Sequence, residues 1–313
     1  MSRFFLVLTG GIGGAKLCLG LQRILPAESL RIAVNVGDDF EHLGLRICPD
    51  LDTTIYTLGG LANTEFGWGR RDETWTFMKV LENLGGESWF RLGDGDLALH
   101  VERTRRLLRG ETLSYIMSDV ASRLGVRCEV FPVSDDILST VVVTAGGELE
   151  FQDYFVRCRC VPVISGLRFR GAERAGLAEP VVAALDSPDL GGIIIAPSNP
   201  YLSIDPILAV PQMRSRLERR QVPAIAVTPI IGGAAVKGPA AKIMKELGIE
   251  VSAGSIVEHY RGLIDGFVLD SRDAPLAEHI DIEVRICDTL MNTLEDRDRV
   301  ARTVAEFGRQ LRR

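Results

Sequence analysis

Residues 4–16 read Phe4-Phe5-Leu6-Val7-Leu8-Thr9-Gly10-Gly11-Ile12-Gly13-Gly14-Ala15-Lys16. An apolar run is followed by a glycine-rich turn, and then Leu17, Leu21, Ile24 and Leu25 recur at helical spacing. The order is strand, turn, helix. Glycines reach positive φ and let a ligand approach backbone N–H groups, and a helix start adds partial positive charge. The turn therefore suits an anion such as phosphate, with Gly10, Gly11, Gly13 and Lys16 as candidate contacts. The next strand, Leu30 to Val36, ends in Gly37-Asp38-Asp39. Carboxylates beside such a turn suit a ribose hydroxyl or a divalent metal.

Outward from this unit, apolar strands recur at 192–197, 224–227, 266–270 and 282–287. Helical patterns lie at 112–124, 205–220 (broken at Pro211), 239–247, 254–264 and 294–312. That alternation predicts an α/β protein with a Rossmann-like three-layer fold and a mostly parallel sheet. Two stretches interrupt it. Residues 59–110 hold Trp68, Trp75 and Trp89 among glycines and suggest a helical and loop insertion. Such tryptophans fit a planar ligand or a lid, or equally a satellite core. Residues 137–185 suggest a small subdomain with a β-hairpin, Thr140–Thr144 and Glu148–Val156, across Gly146-Gly147. The expected core is then 1–58 and 186–313 with about 111–136.

With 313 residues, 46% hydrophobic, the chain can bury a full core, and a net charge of −6 argues against nucleic acid. No apolar run approaches the roughly 20 residues that span a bilayer, and residues 4–8 are too short for a signal-peptide core. The cytoplasm is the expected compartment, with the six cysteines reduced. Cys158-Arg159-Cys160 reads as alternate strand residues rather than a metal site.

Lys16 stands where a dinucleotide turn has its third glycine, and the spacing also fails the P-loop pattern. Asp38, Asp39, Asp50 and Asp52 form an acidic constellation suited to Mg²⁺. Asp94-Gly95-Asp96 is a second carboxylate pair. His42, His100, His259 and His279 lack zinc-hydrolase spacing, and no serine-hydrolase elbow is present. His259 and His279 read as surface residues, whereas His100 lies near the tryptophans. Thr9–Lys16, Asn35–Asp39, Ser198–Pro200 and Thr228–Lys237 each follow a predicted strand, which predicts one shared crevice.

LTGGIGGAK, NVGDD, ICPDLDTTIYTLGG, FGWGRRDETW, WFRLGDGDLALHVERT, APSNPYLSIDPILAVP and TPIIGGAAVKGPA together resemble the 2-phospho-L-lactate transferases of coenzyme F420 biosynthesis. The likeness runs to about residue 270, and the tail contributes little. It implies a Mg²⁺-dependent transfer from a guanosine diphosphate ester of a three-carbon acid to the ribityl hydroxyl of the deazaflavin Fo, releasing GMP. It also implies a homodimer. By this resemblance Gly10–Lys16 cradle phosphate; Asp52 and one of Asp38 or Asp39 hold the metal and serve catalysis. Thr53 and Thr54 contact phosphate. Trp89, Asp94, Asp96 and His100 face the deazaflavin, and Ser198, Asn199, Ile230, Ile231, Lys237 and Gly238 take the guanosine side. A sister group that binds nucleotide sugars without this transfer is the alternative, opposed by the FGWGRRDETW and LGDGDLALH tracts. A glycosyl- or nucleotidyltransferase using Asp50-Leu51-Asp52 is a weaker one.

Overall fold

The computed structural model describes residues 3–63, 69–236 and 238–311. Its seven sheet strands are β1 (Phe4–Thr9), β2 (Leu30–Val34), β3 (Glu129–Pro132), β4 (Leu190–Ile195), β5 (Ala224–Val227), β6 (Gly266–Asp270) and β7 (Glu283–Cys287). They lie in the order β7-β6-β5-β4-β1-β2-β3, every neighbouring pair parallel. Parallel strands covered on both faces carry continuous apolar runs, and every residue of β1 and β5 is buried. The chain steps outward from β1 to β3, then returns to place β4 on the other side of β1. That reversal opens a crevice beyond the carboxyl ends of β1 and β4.

Among the described residues eleven α-helices accompany the strands: α1 (Gly11–Ile24), α2 (Pro49–Leu58), α3 (Thr76–Asn83), α4 (Asp94–Leu107), α5 (Leu113–Arg123), α6 (Glu179–Leu185), α7 (Asp205–Ala209), α8 (Pro211–Glu218), α9 (Ala240–Glu246), α10 (Ala253–His259) and α11 (Leu294–Gln310). They cover both faces of the sheet. Helix α1 packs between α2 and α11. Gly20 permits the close crossing, because a Cβ there would stand 2.3 Å from the Arg297 carbonyl oxygen. Helix α11 starts at a capping box of Thr293 and Asp296 and buries Val300, Ala301, Val304 and Phe307. Among the described residues no helix is long and apolar enough to cross a membrane.

Three local features differ from the sequence expectation. Phe40–His42 and Leu45–Ile47 pair as a tight hairpin whose turn places Leu43 and Gly44 at φ 53° and 72°. Leucine is an uncommon residue at such a turn, so the sequence carries no hairpin signal there. The second strand of the hairpin beginning at Ser139 spans only Gly147–Glu150, and a π-helical turn follows at Asp153–Arg157. Phe151 and Tyr154, three apart, are both buried by this turn, which a strand's alternation would not allow. Cys158 and Cys160 are therefore not strand residues; Arg159 and Cys160 adopt φ 50° and 56° where the chain reverses. The strand Ile164–Arg170, absent from the sequence reading, completes this antiparallel sheet against Ser139–Thr144.

Val142, Phe151, Tyr154 and Ile164 join the main core. Beneath the insertion, Ile47, Met78 and Leu92 gather Trp75, Phe40 and Phe90 into a separate small core. Trp68 lies outside the described residues; of the other two tryptophans, Trp75 packs, while Trp89 lines the cleft described next.

Candidate active site

A cleft of about 590 Å³ runs from the glycine turn to Trp89. Its floor is built at the end of β1. Gly10 and Gly11 lie against Asp50 at the start of α2, and the Gly11 N–H donates to Asp50 Oδ1 at 2.8 Å. A Cβ on Gly10 would stand 2.4 Å from Asp50 Oδ2 and 2.7 Å from Ser203 Cβ. This glycine is required by the approach of a carboxylate. Gly13 similarly admits the Pro197 carbonyl, and Gly14 admits Thr9 and Ser198. Ser198 Oγ accepts from the Gly10 N–H at 3.1 Å and donates to the Gly10 carbonyl at 2.7 Å, so it fastens the turn to the loop after β4.

Asp38 and Asp50 meet over Asn35, whose Nδ2 donates to Asp50 Oδ2 at 2.9 Å and Asp38 Oδ1 at 3.3 Å. Both acids are buried yet line the cleft. Burial, then the Asp50 carboxylate, pushes the Asp38 carboxyl well above its usual range. Burial raises Asp50 to about 6, opposed by the hydrogen bonds from Asn35 and Gly11. Two desolvated carboxylates joined only through a neutral amide are incomplete electrostatically; hard oxygen donors so placed fit Mg²⁺.

The other two aspartates are already paired. Asp39 turns away from the cleft to Arg46, with Oδ2 3.1 Å from the guanidinium. Burial raises its carboxyl to about 6, and Arg46 opposes the rise. Asp52 takes two bonds from the fully buried Arg103, at 2.6 and 3.1 Å. The structure therefore brings Asp38 together with Asp50, rather than with Asp39 or Asp52. Positions 50 and 52 are two apart on one helix and point to different neighbours.

Asp52, Asp96 and His100 have the composition of a metal site and lie within one ion's reach of each other. Arg103 argues otherwise. Its Nη2 lies 2.7 Å from His100 Nδ1. A guanidinium offers only donors, so Nδ1 accepts and the ring proton sits on Nε2. That nitrogen lies 3.2 Å from Asp96 Oδ2, a contact without hydrogen-bond geometry; carrying the proton, it has no lone pair to offer a cation. Tyr56 donates to Asp96 Oδ1 at 2.7 Å. Burial pushes the Asp96 carboxyl up, but its contacts with His100 and Tyr56 hold it below its ordinary value. This end of the cleft sets donors and acceptors beside aromatic rings, with the buried His100 Nε2 left without a hydrogen-bond partner among the described residues. Trp89 meets His42 and Phe90 edge-on at 5.3 and 5.7 Å, and the Arg157 guanidinium stacks 4.5 Å over it.

The remaining expected site residues divide. Thr53, Asn199, Ile231 and Gly238 line the cleft, while Asn199 Oδ1 also caps the turn at Pro200 through Tyr201 N–H. Lys16 lines it too and donates to the Met291 carbonyl at 2.7 Å. Thr54 and Ile230 are buried in the core. Asp94 does not face the cleft: it accepts from Thr74 Oγ1 and from the Thr76 and Phe77 N–H groups at the start of α3. Glu73 answers by accepting from Gly95 and Asp96 at the start of α4. Lys237 lies outside the described residues. His259 is a half-buried partner of Asp205 at 2.8 Å and not a plain surface group.

Several lining residues escaped the sequence reading. Phe151, Gln152 and Phe155 come from the antiparallel subdomain, and Thr289 to Met291 from the tail.

The sequence matches, over residues 5–300, the family described as 2-phospho-L-lactate transferase CofD. The chain belongs to this family. Its membership makes it a phosphotransferase of coenzyme F420 biosynthesis. Among similar CofD-family proteins, a phosphoenolpyruvate transferase of Streptomyces griseus is 38% identical, with 98% of each chain covered. A 2-phospho-L-lactate transferase of Methanosarcina acetivorans is also 38% identical, over 96% of this chain and 97% of the relative. That of Methanocaldococcus jannaschii is 37% identical, over 96% and 97%. The crystal structure of a UPF0052-family protein from Bacillus halodurans superposes with a TM-score of 0.63 over 97% of this chain and 99% of that one. At 14% identity it shares the fold alone.

Proposed function

We propose that this chain transfers a phospho-three-carbon-acid group from a guanosine diphosphate ester to the ribityl hydroxyl of the deazaflavin Fo. The observation that carries the reading is one cleft with a buried carboxylate pair, Asp38 and Asp50, at one end and the Trp89, Asp96 and His100 group at the other. The acceptor hydroxyl oxygen bonds to the outer phosphorus, the bridging P–O bond breaks, and GMP leaves. The hydroxyl proton passes to a carboxylate of the cleft.

Such a transfer needs alignment and charge neutralisation more than covalent help. Asp38 and Asp50 would hold Mg²⁺, which supplies positive charge against the phosphate oxygens when bound. This reading replaces the expected set of Asp52 with Asp38 or Asp39, because Arg103 and Arg46 already neutralise those alternatives. Gly13, Lys16 and Thr53 face the phosphates. Asn199, Ile231 and Gly238 form the guanosine side. Trp89 with the fixed Asp96–His100 pair receives the flat ring, orienting its ribityl arm toward the floor. The enzyme acts in the cytoplasm as a homodimer, which light scattering tests.

Similar relatives carry both phosphoenolpyruvate and 2-phospho-L-lactate transferase names at 38% identity, so the donor is proposed as a class: lactyl, enolpyruvyl or glyceryl. Mass spectrometry of the product from Fo, Mg²⁺ and each donor tests this. A phosphodiester of Fo with release of GMP is expected from at least one; none from all three refutes the proposal.

A further inference from the structure

We propose that Asn35 is the positioning residue of the cation site, holding Asp38 and Asp50 within one ion's reach before the ion arrives. The inference rests on the metal reading above. Asn35 follows β2 and is fully buried. Its Oδ1 accepts from the Gly37 N–H at 2.8 Å, which fixes which end of the amide is which. The Nδ2 end therefore faces the acids. It donates to Asp50 Oδ2 at 2.9 Å, Asp38 Oδ1 at 3.3 Å and the Leu202 carbonyl at 3.3 Å.

Two amide hydrogens thus serve three oxygens, two of them on carboxylates that repel each other. The nearby guanidiniums of Arg46 and Arg103 are engaged by Asp39 and Asp52. The dipole of one neutral amide stands between the two acids. A second charged group there would compete with the metal; an apolar one would let the carboxylates part. An amide does neither, and its Gly37 contact ties the geometry to the turn that carries Asp38 itself. Outer partners of this kind set metal affinity by about 10- to 100-fold.

The test is Mn²⁺ binding by calorimetry and by loss of the free-ion electron-spin signal, using the full chain without substrate. Wild type is expected to bind and Asp50→Ala to lose binding. Asn35→Ala should bind about 10- to 100-fold more weakly. In an Asp50→Ala background the same change should have no further effect, since there is no pair left to hold. If Asn35→Ala does not fold, Asn35→Ser, whose hydroxyl can still accept from Gly37, takes its place. Folded Asn35 variants that bind Mn²⁺ like wild type, beside a weakened Asp50→Ala, overturn the role of Asn35 alone. Wild type that fails to bind, or Asp38→Ala and Asp50→Ala that bind unchanged, overturns the metal reading with it.

Discussion

Replacing Asp50 by asparagine should stabilise the metal-free protein near neutral pH while weakening binding of the proposed cation. Asp50 is buried and its carboxyl is raised from 3.8 to about 6. Ionising a group against such a shift costs about 3 kcal/mol at pH 7. The folded state binds more protons than the unfolded chain between these two values. Stability of the apo wild type therefore falls as pH rises through that window and is regained on acidification to about pH 4. Asparagine keeps an oxygen for the Gly11 N–H but turns a donor toward Asn35, losing roughly 1 kcal/mol of hydrogen bonding. The net expectation is a gain of about 2 kcal/mol at pH 7.5, shrinking toward pH 4. Urea unfolding in EDTA at pH 7.5 and pH 5 measures both. Saturating Mg²⁺ should stabilise wild type and not the variant. An Asp50→Asn protein less stable than wild type in EDTA at pH 7.5 would refute the reasoning, as would a wild type whose stability does not rise on acidification.

Three further outcomes are expected. Arg103→Met should destabilise by about 3–5 kcal/mol because it strands the buried Asp52, and adding Asp52→Asn should recover much of that in the same unfolding assay. Trp89→Ala should weaken Fo binding, followed by ligand fluorescence, by about tenfold, with little change in GDP affinity; equal losses would argue against an aromatic ring site. Asp94→Ala should lower the melting temperature through the start of α3 yet leave Fo affinity unchanged, because its carboxylate is spent on Thr74, Thr76 and Phe77.

The sheet was legible because its central strands, such as β1 and β5, are apolar on both faces and end in glycines, prolines and short polar residues. The crevice followed from those endings, and the structure brings Gly10, Asp38, Ser198 and Ile231 to one cleft, as their positions after β1, β2, β4 and β5 imply. What the sequence concealed is pairing across distance. Nothing local says that Arg103 will take Asp52, 51 residues away, and leave Asp50 for Asp38. The start of α2 at Pro49 offered one clue, since Asp50 and Asp52 on a helix cannot face the same place. The π-helical turn was hidden for another reason: Phe151 and Tyr154 follow a strand without any breaker residue between them. The tail entered the cleft unseen because Thr289–Met291 have no motif of their own and act through main-chain atoms such as the Met291 carbonyl.

The exchange of acids between the starts of α3 and α4 has a mechanical consequence. Each helix's first N–H groups are satisfied by a carboxylate borrowed from the other segment, Asp94 in one direction and Glu73 in the other. Neither helix start can shift alone without stranding N–H groups of the other, so the two starts are locked together. Of the two helices, α4 lines the cleft through Asp96 and His100, while α3 contributes no lining residue and braces α4 from behind. The hydrogen-bonding groups on α4, Asp96 and His100, thereby stand on a helix whose start is anchored from outside the cleft. A change of ligand at that end of the cleft would remodel this braced helix while the carboxylate floor, carried by the parallel sheet, stayed as it is.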